Sequence, residues 1–157
     1  MQRTIIIAIG LLAALLTAAG IMFYNPISVA RRQLYDKDPQ VRCHAILSLC
    51  KDKASFPRMR QLLYDEDIIV SIHAATFLYM SGDKESIPDY RNLLNNKEPV
   101  IREAAIFALW LLGDKESIPE FKKLLNDEDI KVSDTAELAL EKLGVPEAEI
   151  EEAKENK

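Results

Sequence analysis

Gly82-Asp83-Lys84-Glu85-Ser86-Ile87-Pro88 (GDKESIP) recurs unchanged at Gly113–Pro119, 31 residues further on. Pro26, Pro57, Pro88 and Pro119 keep that step along most of the chain. A constant period of this size is the mark of a solenoid or array, in which each unit buries one face against its neighbour. Aligned on the prolines, the units run 34–63, 63–94 and 94–125, and a fourth opens at 125–144.

Each unit reads as two helices around the heptapeptide. An acidic cluster such as Asp65-Glu66-Asp67 or Asp127-Glu128-Asp129 caps a first helix and complements its dipole. Pro39 and Pro99 suit its first turn. Apolar residues then recur at helical spacing: Val70, Ala74, Leu78; Ile101, Ala105, Leu109; Val132, Ala136, Leu140. Gly82, Gly113 and Gly144 close that helix as C-cap glycines. Ser86 and Ser117 stand where a second helix needs its cap, with Pro88 and Pro119 in its first turn, and it ends at paired leucines such as Leu93-Leu94. The stretch from Pro26 to Tyr35 reads as a lone second-type helix ahead of the first pair. The first unit lacks the Ser-Gly before Asp52, so its inter-helix loop is two residues shorter.

Charge divides the chain. All 25 acidic residues lie from Asp36 onward with 17 of the 20 basic ones, so that part carries -8. An acidic domain repels a phosphate backbone, which argues against nucleic acid as a partner. Cys43 and Cys50 are seven residues apart. On one helix that is roughly 10 Å, beyond disulfide reach, so they read as free thiols.

Ile5 to Tyr24 (IIIAIGLLAALLTAAGIMFY) is uncharged over 20 residues, about 30 Å as a helix and enough to span a bilayer. Tyr24 sits where interfacial aromatics sit, and Asn25-Pro26 breaks the helix. A cleaved signal peptide is the competing reading, with Arg3 ahead of the apolar run and Thr17-Ala18-Ala19 as a cleavage site. The run continues past that site, which favours an uncleaved single-pass anchor; the short basic N-tail favours the following domain lying outside the cytoplasm, with the cytoplasmic side as the alternative. The organisation expected is therefore 1–24 anchor or signal segment, 25–144 repeat domain, and 145–157 acidic tail or capping helix.

The pattern D-x-x-P-x-V-R-x-x-A-x-x-x-L-x-x-x-G-D-x-x-x-I-P, best kept around Pro99, Arg102, Ala105, Leu109, Gly113, Asp114, Ile118 and Pro119, resembles the HEAT-like repeats found in phycobilisome lyases. That resemblance implies an all-α fold, a short right-handed α-solenoid of helix pairs, here preceded by the transmembrane helix. Ile68 and Ile130 depart from the usual Pro, and Ser71 and Ser133 from the usual Arg, which loosens any Asp–Arg ladder between units. The resemblance also implies a chromophore or cofactor lyase, or a lyase chaperone, as an alternative function. Some HEAT-like hydroxylases hold a di-iron centre with His-Glu dipeptides, whereas His44 and His73 are each followed by Ala.

His44 and His73 recur at one position of successive units, too far apart and too alone to suggest a metal site. No Ser/His/Asp or Cys/His set is recognisable, so the expectation is a chain that is no enzyme and needs no cofactor. Two surfaces stand out for binding another protein. Arg31, Arg60, Arg91 and Lys122 fall at one position of the second helices and could form a basic ladder. Tyr79, Phe107 and Trp110 lie on a second apolar stripe of the first helices, spaced i, i+3, i+7, i+10. A membrane-anchored interaction module, scaffold or adaptor is the function these features favour.

Overall fold

Side-chain caps fix where most of the long helices start. In the computed structural model, which describes residues 25–49 and 51–155, Asn25 accepts from the Ile27 and Ser28 amides at the head of α1 (Pro26–Gln33). Asp38 caps α2 (Pro39–Ser48), Asp67 caps α4 (Ile68–Met80) and Asp129 caps α8 (Ile130–Lys142). Helix α6 (Pro99–Leu111) has Pro in its first turn, and Glu98 at its cap makes no side-chain bond. Between them lie three short helices, α3 (Phe56–Leu62), α5 (Ile87–Leu93) and α7 (Ile118–Leu124), and α9 (Glu147–Glu155) follows. The expected transmembrane segment lies outside the described residues; among those described, no helix is long and apolar enough to cross a membrane.

The repeated heptapeptide is a complete hydrogen-bonded turn. Gly82 takes φ +69°, its amide donates to Tyr79 O at 3.0 Å, and the Asp83 amide reaches back to Leu78 O at 3.0 Å. These two bonds define the Schellman end of a helix. Gly113 with Asp114 and Gly144 with Val145 repeat it. A single 3-10 turn follows in the repeated units (Lys84–Ser86, Lys115–Ser117), and the first unit keeps its counterpart at Lys53–Ser55. The serines differ from expectation: they make no helix-capping bond to a backbone amide. Ser86 Oγ instead donates back to Asp83 O, and Ser117 Oγ to the Asp114 carboxylate, both at 2.5 Å and both buried. A buried hydroxyl needs a partner, and the 3-10 turn brings the carbonyl and carboxylate three residues back within reach.

Packing assigns the helix partners. Each short helix packs closely on the long helix that follows it: α1 on α2, α3 on α4, α5 on α6, α7 on α8. The leading helix α1 is thus the first half of a hairpin. The four long helices lie side by side as one layer, α2 on α4, α4 on α6, α6 on α8, while α9 packs on α7 and α8 at the C-terminal end. The core runs the length of that layer through Ala45, Val70, Ala74, Leu78, Ala105, Leu109, Ala136 and Leu140, all within 1% of complete burial. Tyr90 is wholly buried, and its hydroxyl donates to Ala75 O at 2.8 Å. Burying that phenol leaves its one polar atom satisfied, which is the condition for placing a tyrosine in a core.

Candidate functional site

The basic row is real and internally matched. Arg31 donates through Nε and Nη2 to both Asp52 oxygens at 2.6 Å. Arg60 forks onto Asp83 at 2.8 and 2.9 Å, and Arg91 onto Asp114 at 2.8 and 2.5 Å. Glu85 and Glu116 add a second carboxylate to Arg60 and Arg91, each at 2.8 Å. Lys122 meets Glu149 of α9. Every cation of the row therefore has a carboxylate from the next unit or the terminal helix. The basic ladder expected from the sequence is present as a row, and its charges clamp one unit to the next. The bidentate fork is why arginine stands at three of the four positions.

The carboxylates register the clamp. Arg31, and then Ser55, draw the Asp52 carboxyl down to about 2. For Asp114, burial is the largest single influence and pushes upward, yet Arg91 and Ser117 together hold it below the usual carboxylate range. A second ladder joins the long helices. Arg42 reaches Asp65 at 2.6 Å, and Arg102 reaches Asp127 at 2.9 and 2.6 Å. Each of these arginines also caps two carbonyls of its own unit: Asp36 and Lys37 for Arg42, Asn96 and Lys97 for Arg102. Where the sequence has Ser71 and Ser133, the hydroxyl donates to Leu63 O and Leu125 O at 2.6 Å, so this ladder skips alternate units.

Tyr79 and Trp110 are half-buried and pack against the core. Phe107 meets Trp110 edge to face, with ring centroids 4.9 Å apart. The stripe they belong to reaches solvent through Leu47, Ile69 and Val100. Sequence reasoning passed over the wall beside it. Met80 is 75% exposed, and with Leu47, Ile72, His73 and Phe77 it lines a trough of about 440 Å³ between α2 and α4. The available signal was α4 itself, IIVSIHAATFLYM, which contains no charged residue on any face. A helix apolar all round is ordinarily buried all round, and α4 is not. Helix α8, by contrast, carries Lys131, Asp134, Glu137, Glu141 and Lys142. Among the described residues no group of three or more His, Cys, Asp or Glu is placed to hold a metal ion.

Stacked helical hairpins with one continuous core and unit-to-unit clamps define an α-solenoid repeat protein. The chain belongs to the HEAT repeats, whose family model matches residues 27–104 and 87–150. The finer likeness to phycobilisome lyases is not part of that match. No curated protein matches the chain in sequence. Among solved structures, human deoxyhypusine hydroxylase in complex with glycerol superposes with a TM-score of 0.64 at 27% identity. That match covers 75% of this chain and 43% of the hydroxylase, so the chain spans under half of that enzyme's length. An engineered protein superposes with a TM-score of 0.60 at 18% identity, covering 85% of this chain and 68% of its own, which speaks for the fold alone. The hydroxylase corrects one expectation. Absence of a familiar catalytic set suggests absence of catalysis, yet a relative of this fold is an enzyme. Missing motifs are weak grounds where a repeat scaffold can assemble its site from residues on several units.

Proposed function

We propose that this chain presents its HEAT stack as a protein-binding module, held at a membrane by residues 5–24. The observation that carries the reading is the uneven solvent face of the long-helix layer. Helices α2, α4 and α6 expose Leu47, Ile69, Met80, Val100 and Leu111, while α8 exposes Ile130 and Leu138 on a helix that also carries Lys131, Asp134, Glu137, Glu141 and Lys142. Exposed apolar side chains gathered on neighbouring helices are the kind of surface that marks an interaction site on a stable fold. Tyr79, Phe107 and Trp110 supply aromatic anchors beside it, the residue types that dominate binding energy. Arg31, Arg60, Arg91 and Lys122 contribute by holding the surface rigid. The tether rests on the uncharged 20-residue run and favours an extracytoplasmic domain. Two measurements test the reading. The full chain should fractionate with membranes and the chain without residues 1–24 should not. Cross-linking in intact membranes should capture a discrete partner, and Trp110→Ala with Tyr79→Ala should abolish that capture while the helices persist by circular dichroism. A full-length chain that is soluble and shortened would remove the tether.

The hydroxylase likeness favours a second reading, in which the stack forms part of an enzyme acting on another protein. Purified chain incubated with a deoxyhypusine-containing protein, dioxygen and a reductant should then raise that protein's mass by one oxygen atom, the second oxygen leaving as water. No mass change would set this reading aside. The lyase alternative is checked by colour: co-expression with a bilin should yield a protein absorbing in the visible.

A further inference from the structure

We propose that the trough between α2 and α4 seats one amphipathic helix of a partner, with an aliphatic face inward and a lysine or arginine at the end that meets Asp67. The inference rests on the protein-binding reading and names the class of partner it would take.

Shape is the first argument. Next to the hollow lined by Leu47 and Met80 lies a second of about 340 Å³, lined by Pro39, Gln40, Cys43, Asp67 and Ile69. His73 borders both, so the two hollows adjoin along α4 and together make the trough proposed as the seat. Thirteen helical residues make α4 about 20 Å long, which matches a partner helix of three to four turns. Helix-in-groove recognition needs an apolar channel of that length, read by residues at i, i+3, i+4 and i+7.

Charge complementarity is the second. No lysine or arginine lines either stretch. At the α4 start the lining ends on the Asp67 carboxylate. That carboxylate caps α4 through the Ile69 and Val70 amides, and the Cys43 thiol beside it is pushed up first by burial and then by Asp67, with Arg42 opposing and Asp65 adding. A cation on the occupant satisfies that end, whereas an anionic occupant is repelled along a low-dielectric wall. Both histidine rings that line the hollows are held by their own helices. His44 Nδ1 lies 2.8 Å from Gln40 O and His73 Nδ1 2.7 Å from Ile69 O. A carbonyl can only accept, so Nδ1 of each ring carries a proton.

The test uses the full chain in detergent micelles and two labelled synthetic helices sharing one leucine face, one with lysines on its polar face and one with glutamates. Fluorescence anisotropy should show the lysine helix binding, and the glutamate helix binding at least about tenfold more weakly. Leu47→Ser with Met80→Ser should weaken the lysine helix about tenfold, and both positions are exposed enough to leave folding unchanged. Asp67→Asn keeps a good helix cap while removing the charge, so it should weaken binding without lowering the melting temperature. Equal binding of the two helices, no binding of either, or indifference to the trough variants overturns the proposal. So does a concentration-dependent dimer that Leu47→Ser abolishes, which would assign the trough to a second copy. If the double-serine chain still captures its cross-linked partner in membranes, the trough proposal fails and the wider binding reading stands.

Discussion

Arg91 on α5 and Asp114 at the head of the second heptapeptide form a two-pronged ion pair across 23 residues of sequence. Asp114 is almost wholly covered and Arg91 about one-third exposed. The same carboxylate accepts from Ser117 and starts the 3-10 turn into α7. One side chain thus closes a local turn and clasps the preceding unit. Asp114→Asn keeps the shape and removes the charge. It should cost about 2 kcal/mol in urea unfolding, the scale of a hydrogen bond to a charged group. A loss within about 0.5 kcal/mol, the range of ordinary surface substitutions, would mean the clasp is ornamental.

Acid should loosen the clasps in a defined window. Asp52 is drawn down to about 2, and Asp114 and Asp127 are also held below the usual carboxylate range. A depressed folded-state pKa stabilises above the unfolded value, about 3.9, and that stabilisation drains away as pH falls through the folded value. The urea midpoint should therefore be level near neutrality and fall between about pH 4 and pH 2. Arg91→Met removes the main downward influence on Asp114, leaving burial to push it up. Its carboxyl, followed by carbon NMR, should titrate at higher pH than in the parent chain.

The heptapeptide was legible because its glycine serves a backbone shape that other residues adopt only at a cost. Gly113 sits at φ +74° with open space where a Cβ would fall, so Gly113→Ala meets no clash. Its cost is conformational alone, about 1 kcal/mol, read as a lower melting temperature with an unchanged denaturant slope. No loss would mean the turn can re-form without the left-handed residue.

Period, core and the aspartate caps of the long helices were open to sequence reasoning because each is local or strictly repeated, whereas Ser86 and Ser117 looked like caps and serve the 3-10 turn instead. The partners of the charges were not open to it. Arg31, Arg60, Arg91 and Lys122 align as a row by spacing, but spacing within one unit is silent about the carboxylates the next unit brings. The trough escaped for a related reason. Leu47 and Met80 belong to two helices, and only lateral packing of α2 on α4 makes them walls of one channel. Hairpin pairing was misjudged because the glycine turn is the conspicuous loop, while the closer packing lies across the plainer leucine-to-aspartate loop.

Trp110 and Met80 should separate stability from recognition. Trp110 is half-buried and packs on Phe107 and the core. Trp110→Ala should cost about 2 kcal/mol, part of the penalty for a fully buried tryptophan. Met80 stands largely in solvent, and Met80→Ser should change stability by less than about 0.5 kcal/mol. Thermal melts of the two variants decide it. A Met80→Ser loss as large as that of Trp110→Ala would place Met80 in the core.

The interrupted second ladder offers the sharpest double substitution. Arg42 pairs with Asp65 and Arg102 with Asp127, but between them stand Ser71 and Asn96 in place of both the arginine and the acid. Losing both members leaves no unpaired charge, and a hollow of about 430 Å³ bordered by Tyr64, Ser71, Asn96 and Ile101 remains. Ser71→Arg alone places a guanidinium beside an amide and should destabilise by about 1 kcal/mol through incomplete pairing. Asn96→Asp alone adds a carboxylate to a partly covered site and should also destabilise. Together they rebuild the fork seen in the flanking units, and the double-mutant cycle should show at least about 1 kcal/mol of favourable coupling. The guanidinium introduced by Ser71→Arg would meet the carbonyls of Asp65 and Glu66 as Arg42 meets those of Asp36 and Lys37. Additive losses would show that the second and third units are spaced differently from the pairs on either side.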